Sequence, residues 1–165
     1  PPSDTAEQVA IAGEVRVVSA TDFDPQGEPA DENPDQAPLA IDGDPETGWK
    51  TVTYFQARLG GLKDGVGLVV DLGTQVPVSA VHLALAGADT TSVEIRTTPT
   101  GVNDPPVELN DVGGALASAD LPEGGGEVRL DQPRTTRYVL VWITSLPKVA
   151  DGKYRAEVRE ITVTR

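Results

Sequence analysis

Apolar residues along this chain recur at every second position, in short runs separated by Gly, Pro, Asp and Asn, and helical periodicity is almost absent. In residues 92–97, SVEIRT, Val93 and Ile95 alternate with Glu94 and Arg96, which predicts a strand with one face inward and one face in water. Similar patterns predict strands at 13–20 (GEVRVVSA), 65–73 (GVGLVVDLG), 78–86 (VSAVHLALA), 91–98 (TSVEIRTT), 126–131 (GEVRLD), 137–146 (RYVLVWITSL) and 154–165 (YRAEVREITVTR), with a shorter strand around 115–119. RYVLVW is apolar on both faces, so it is expected to be a central strand with Trp142 in the core. Seven or more strands joined by turn-rich loops predict two packed sheets: an all-β fold, a jelly-roll β-sandwich.

Two stretches break the pattern. Residues 22–38, DFDPQGEPADENPDQAP, carry six acids, no base and four prolines, which rules out a central strand or a long helix and predicts a long surface loop. Residues 99–126 form a second irregular region that ends in a glycine run. At 165 residues the chain is long enough for one well-buried domain and short for two. The expected division is a linker at 1–12, the start being PPSDTAEQ, and a single domain at 13–165.

Composition sharpens this. Aromatics are 4% of the chain, so the core must be aliphatic, and the lack of cysteine removes disulfides, thiolate metal sites and thiol nucleophiles together. A net charge of −13 argues against a nucleic-acid or anionic-membrane surface, since both need clustered Lys and Arg. The acids are uneven: residues 1–47 hold twelve against Arg16 alone, whereas residues 121–165 hold eight bases against six acids. Packing of the two chain ends against each other would partly neutralise that asymmetry.

Catalysis finds little support. No G-x-S-x-G elbow is present, no pair of carboxylates stands out for glycoside hydrolysis, and the single histidine, His82, sits in a strand between Ala80 and Ala84. The glycine-rich GGLKDGVG at 60–67 opens a strand, whereas a phosphate cradle opens a helix.

The stretch AIDGDPETGWKT, residues 40–51, is chemically denser. Asp42, Asp44 and Thr47 have the spacing with which a tight turn delivers several oxygen ligands to calcium. Asx turns, in which Asp42 and Asp44 cap their own backbone and Pro45 fixes the bend, account for the same residues. The spacing alone leaves both open.

DGDPETGW, followed in order by GLVVDLG, VSAVHLAL, RYVLVWI and a terminal EITV, resembles the discoidin or coagulation factor 5/8 type C domain of the galactose-binding-like superfamily, over about Gly13 to Arg165. That superfamily includes carbohydrate-binding modules. The resemblance implies a jelly roll that binds ligand through loops at one end and holds a structural calcium. The ligands it implies are the carbonyl of Leu39, the carboxylate of Asp42, the carbonyl of Asp44, the hydroxyl and carbonyl of Thr47, and the carboxylate of Glu160, with Glu157 competing for the last place. It places Trp49 in the core beneath the loop and makes Lys50 a ligand contact. TVTYFQARLGGLKD, residues 51–64, departs from the family pattern and supplies Tyr54, Gln56, Arg58 and Lys63 as further saccharide contacts.

GGLKDGVGLVVDLG together with YRAEVREITV also resembles the C-terminal extracytoplasmic domain of actinobacterial MviN (MurJ-type) membrane proteins of peptidoglycan biosynthesis. This implies a domain outside the cytoplasm, tethered to the membrane through the rest of the chain. The expected function is non-catalytic recognition of a cell-wall saccharide or peptidoglycan precursor. The alternative is an interaction domain for another envelope protein, and an enzyme acting on glycans is the weakest reading.

Overall fold

The computed structural model describes residues 13–165; the linker expected at 1–12 lies outside the described residues. Those residues form β1 (Glu14–Val15), β2 (Ser19–Phe23), β3 (Trp49–Lys50), β4 (Val66–Ala86), β5 (Thr91–Thr97), β6 (Ala117–Leu121), β7 (Gly124–Ser145), β8 (Lys148–Ala150), β9 (Lys153–Tyr154) and β10 (Glu157–Thr164).

The long strands β4 and β7 organise the sandwich. They pair antiparallel along most of their length, with register breaks between Asp71 and Val76 and between Val78 and Ala80. Before the first break β4 also pairs with β2, and beyond the second it pairs with β10. The C-terminal part of β7 takes β5, which takes β6. One layer is therefore β2-β4-β7-β5-β6, and the other joins β7 and β4 to β10, which carries β1 and β3. The fold is an all-β jelly-roll sandwich, as the alternation predicts.

Several boundaries differ from expectation, among them that of 154–165, which is divided between β9 and β10. Residues 65–73 and 78–86 are one strand, as are 126–131 and 137–146. Gly73, at φ 80°, and Pro77 bend β4 without ending it, because Val76 and Pro77 still pair with Thr136 and Thr135. The strand expected at 13–20 is two pieces, because the chain passes from β10 in one layer to β4 in the other. Residues 22–38 are only partly a surface loop: β2 takes Asp22 and Phe23, and Pro34–Ile41 form a 3₁₀ helix that buries Ala37 and Ala40. Asn33, in the left-handed region at φ 56°, turns the chain inward there, and its side chain donates to the Lys50 carbonyl at 2.6 Å.

The main core lies between the layers and takes Val66, Leu68 and Val70 of β4 with Val139, Val141 and Ile143 of β7. Burial of each such side chain contributes about 1.5–3 kcal/mol. The alternate residues Val69, Leu140 and Trp142 face outward and pack with Phe23, Tyr138 and Val112 in a second cluster. Phe23 meets Trp142 edge-on, with ring centroids 6.0 Å apart. This explains why RYVLVW is apolar on both faces. Trp142 is buried beneath the outer surface of one sheet, and Trp49 is in the main core.

Candidate functional site

The acidic loop is clasped to the last strand. The Asp42 carboxylate accepts the N–H of Asp44 at 2.9 Å and the Thr47 hydroxyl, and Asp44 accepts the N–H of Glu46 at 2.9 Å. These are two successive Asx turns, with Gly43 between them at φ 77°. Glu160 of β10 reaches across and accepts the Gly43 N–H at 3.1 Å. Gly48 permits the clasp, because a Cβ there would stand 2.7 Å from the Val158 carbonyl oxygen. Glu157 is engaged elsewhere: it pairs with Arg159 at 2.8 Å and lies opposite Lys50, so Glu160 is the carboxylate at the loop. Leu39 is half-buried in the 3₁₀ helix that leads into it.

The Thr47 hydroxyl and the Asp44 N–H hold the Asp42 carboxyl below its ordinary range, whereas burial foremost, then the nearby Asp42 charge, raises Glu160. The donors gathered here are all oxygens, the set a hard cation takes. Among the described residues no three or more His, Cys, Asp or Glu stand together as a metal cluster, so a cation here would depend on carbonyls and the Thr47 hydroxyl as well as Asp42 and Glu160.

The second group lies on the loop 51–64. Tyr54 and Lys63 turn inward. The Tyr54 backbone bridges to Tyr154 through two 2.8 Å hydrogen bonds, and its hydroxyl lies 2.8 and 2.9 Å from the two Glu32 carboxylate oxygens. The Lys63 ammonium donates to the Tyr54 oxygen and to Asp24, each at 2.9 Å, and lies 4.0 Å from Glu32. The side chains of Asp24 and Glu32 are wholly buried, and Oδ1 of Asp24 has no hydrogen-bond partner among the described residues. Burial is the main cause that raises the Glu32 carboxyl, and burial with the Glu32 contact raises the Tyr54 phenol. Trp49 completes the cluster, donating its indole N–H to the Glu32 carbonyl at 2.7 Å. Tyr54 and Lys63 thus brace the loop from beneath.

What faces solvent is different. Phe55 is 76% exposed and Leu62 is 79% exposed, with Gln56 and Arg58 also exposed. Leu59 is fully buried and anchors the loop, with left-handed backbone at Leu59, Gly60 and Gly61 folding the chain back behind it. Lys50 is half-buried, and its N–H donates to Gln36 at 3.0 Å. Arg58 also borders a groove of about 710 Å³ on the outer face of β7, β5 and β6. Sequence reasoning missed Phe55, Glu32 and Asp24. The available signal was the adjacent pair Tyr54-Phe55, since neighbouring side chains of an extended segment point to opposite sides.

No protein-family model matches the chain. Solved structures with this fold include the family 32 carbohydrate-binding module of AlyQ in complex with 4,5-unsaturated mannuronic acid, at TM-score 0.65 and 16% identity, over 92% of this chain and 98% of that one. The family 32 module of C. perfringens NanJ in complex with galactose matches at TM-score 0.61 and 19% identity, over 92% and 99%. Chitosan-binding module 1 from a Paenibacillus sp. chitosanase/glucanase matches at 0.58 and 19%, over 89% and 94%. The chain therefore has the galactose-binding-like β-sandwich fold.

Proposed function

We propose that this domain is a non-catalytic saccharide-recognition module whose ligand sits on the loop 51–64. The observation that carries the reading is Phe55, an aromatic ring 76% exposed on a loop whose underside is fixed by the Tyr54–Glu32–Lys63–Asp24 cluster. A rigid apolar ring flanked by polar side chains, here Gln56 and Arg58, suits the C–H face and hydroxyls of a sugar. Lys50 lies on the strand that leads into the same loop. The solved modules of the same fold, in complex with mannuronic acid and galactose or described as chitosan-binding, support a saccharide as the ligand class.

The finer reading is a cell-wall saccharide or peptidoglycan precursor, bound outside the cytoplasm by a domain tethered within a membrane protein of peptidoglycan biosynthesis. It rests on the sequence resemblance. Calcium, in turn, is proposed as a structural ion held by Asp42, Glu160, Thr47 and the carbonyls of Leu39 and Asp44. It would supply charge compensation and no chemistry.

The test is isothermal titration of the domain with N-acetylglucosamine, galactose, mannuronate and soluble peptidoglycan fragments. Binding by at least one of these, weakened about tenfold by Phe55→Ala with the melting temperature unchanged, is the expected result; a factor of ten corresponds to about 1.4 kcal/mol. No binding by any of them overturns the proposal. The second reading, docking of an envelope protein, is favoured by the exposure of Val52 and Leu62 on the same loop as Phe55.

A further inference from the structure

The groove bordered by Arg58 lies on the outer face of a sheet, and Phe55 is not among its lining residues. Its floor is set by strand register. Trp142 of β7, Glu94 of β5 and Ser118 of β6 fall in one cross-strand row, and Ser92 and Asp120 in the next. At about 4.8 Å per strand the first row spans roughly 10 Å. Gly65 packs its backbone directly on the indole of Trp142, because a Cβ there would collide with the ring.

The polar groups in this groove are only partly used. Arg96 places Nε and Nη2 on the same Glu94 oxygen, Oε1, at 3.0 and 2.8 Å, so Oε2 accepts no hydrogen bond among the described residues. The Ser118 hydroxyl and the Arg58 guanidinium likewise have no partner among those residues. Open acceptors, an open hydroxyl and an open cation side by side can match a ligand that offers both donors and acceptors at short intervals. A polyanion would meet Glu94, Asp120 and Asp64, all of which line the groove. A folded protein would find no deep apolar pocket for an anchoring side chain. A neutral glycan chain satisfies each of these conditions.

We infer that the module binds along a glycan chain: the unit on Phe55 is one end of a longer footprint, and further units pass Arg58 into the groove, where Glu94 and Ser118 contact their hydroxyls. The inference rests on the saccharide reading and extends it from a single sugar to a chain. Arg58 is the join, as it belongs to the loop 51–64 and borders the groove.

Titration of the wild-type domain with N-acetylglucosamine and its dimer, tetramer and hexamer, all uncharged, tests it. Affinity should rise at least tenfold between the shortest and the four-unit ligand. Ser118→Trp and Asp120→Trp fill the groove from exposed positions on an edge strand. Each should abolish the gain with length while leaving the shortest ligand unaffected, whereas Phe55→Ala should weaken every length. Equal affinity for short and long ligands, or a length gain that survives both tryptophan variants, overturns the groove and leaves the Phe55 site standing. Absence of binding at every length overturns both.

Discussion

Lys63→Met is the substitution with the largest expected cost, because it removes the ammonium and keeps the stem that covers the loop. Wild-type Lys63 lies 2.9 Å from Asp24 and 4.0 Å from Glu32, two carboxylates whose side chains are entirely buried. Leaving buried charge without its partner costs about 3–5 kcal/mol. A domain of this size is stabilised by about 5–15 kcal/mol in total, and each kcal/mol moves the midpoint by about 2–4 °C. The expected fall in melting temperature is thus about 6–20 °C at neutral pH. The pH dependence adds a signature. Burial raises the Glu32 carboxyl above its ordinary 4.5, and Lys63 pulls it back down. Between the unfolded value and that raised value the native state binds more protons, so this group's contribution falls as pH rises through the window. Without Lys63 the native value climbs and the window extends upward. Melts followed by circular dichroism from pH 5 to pH 8 should show the deficit of Lys63→Met shrinking on acidification, and Lys63→Met/Glu32→Gln should recover part of it at pH 8. A loss below about 1 kcal/mol that is constant across this range would refute the argument.

Three further outcomes follow from particular contacts. Gly48→Ala should cost about 1–3 kcal/mol in chemical denaturation, because its Cβ would stand 2.7 Å from the Val158 oxygen and 3.1 Å from the Arg159 Cα, both backbone atoms. In metal-stripped protein, calcium at about 100 times its dissociation constant should add roughly 2.7 kcal/mol of stability; Asp42→Ala should remove that response and Glu46→Ala should preserve it, and a melting temperature indifferent to calcium and chelator would leave the loop as Asx turns alone. Asp71 is held by Arg137 at 2.9 and 3.2 Å and by the Gly73 N–H at 2.7 Å, and these contacts lower its carboxyl below 3.8. Its contribution is therefore present above the unfolded value and lost as pH falls through the native one, so Asp71→Asn should cost about 1–3 kcal/mol at pH 7 and progressively less in melts below about pH 3.8.

Period-two alternation made the strands legible, because a half-buried strand writes its two faces into the sequence. The joining of 65–73 to 78–86 was not legible, since Gly73 and Pro77 read locally as a turn and only their partners on β7 keep them in the ladder. The clasp between Gly43 and Glu160 was accessible through family resemblance, because nothing local links residues 117 positions apart. At the loop 51–64 the orientation of each side chain was not legible: Tyr54 and Lys63 turn inward and Phe55 outward, because the partners of the first two, Glu32 and Asp24, come from a segment whose acidity and prolines suggested a surface loop. The groove depends on cross-strand register between β5, β6 and β7, which alternation does not determine.

The most direct measurement of the central claim is amide chemical-shift mapping of the ¹⁵N-labelled domain during titration with the uncharged tetramer of N-acetylglucosamine. The account predicts saturable shifts concentrated at Phe55, Gln56 and Arg58 and continuing to Glu94 and Ser118, with the Asp42–Thr47 loop unmoved. Shifts confined to other faces of the sandwich, or none at saturating saccharide, would contradict it.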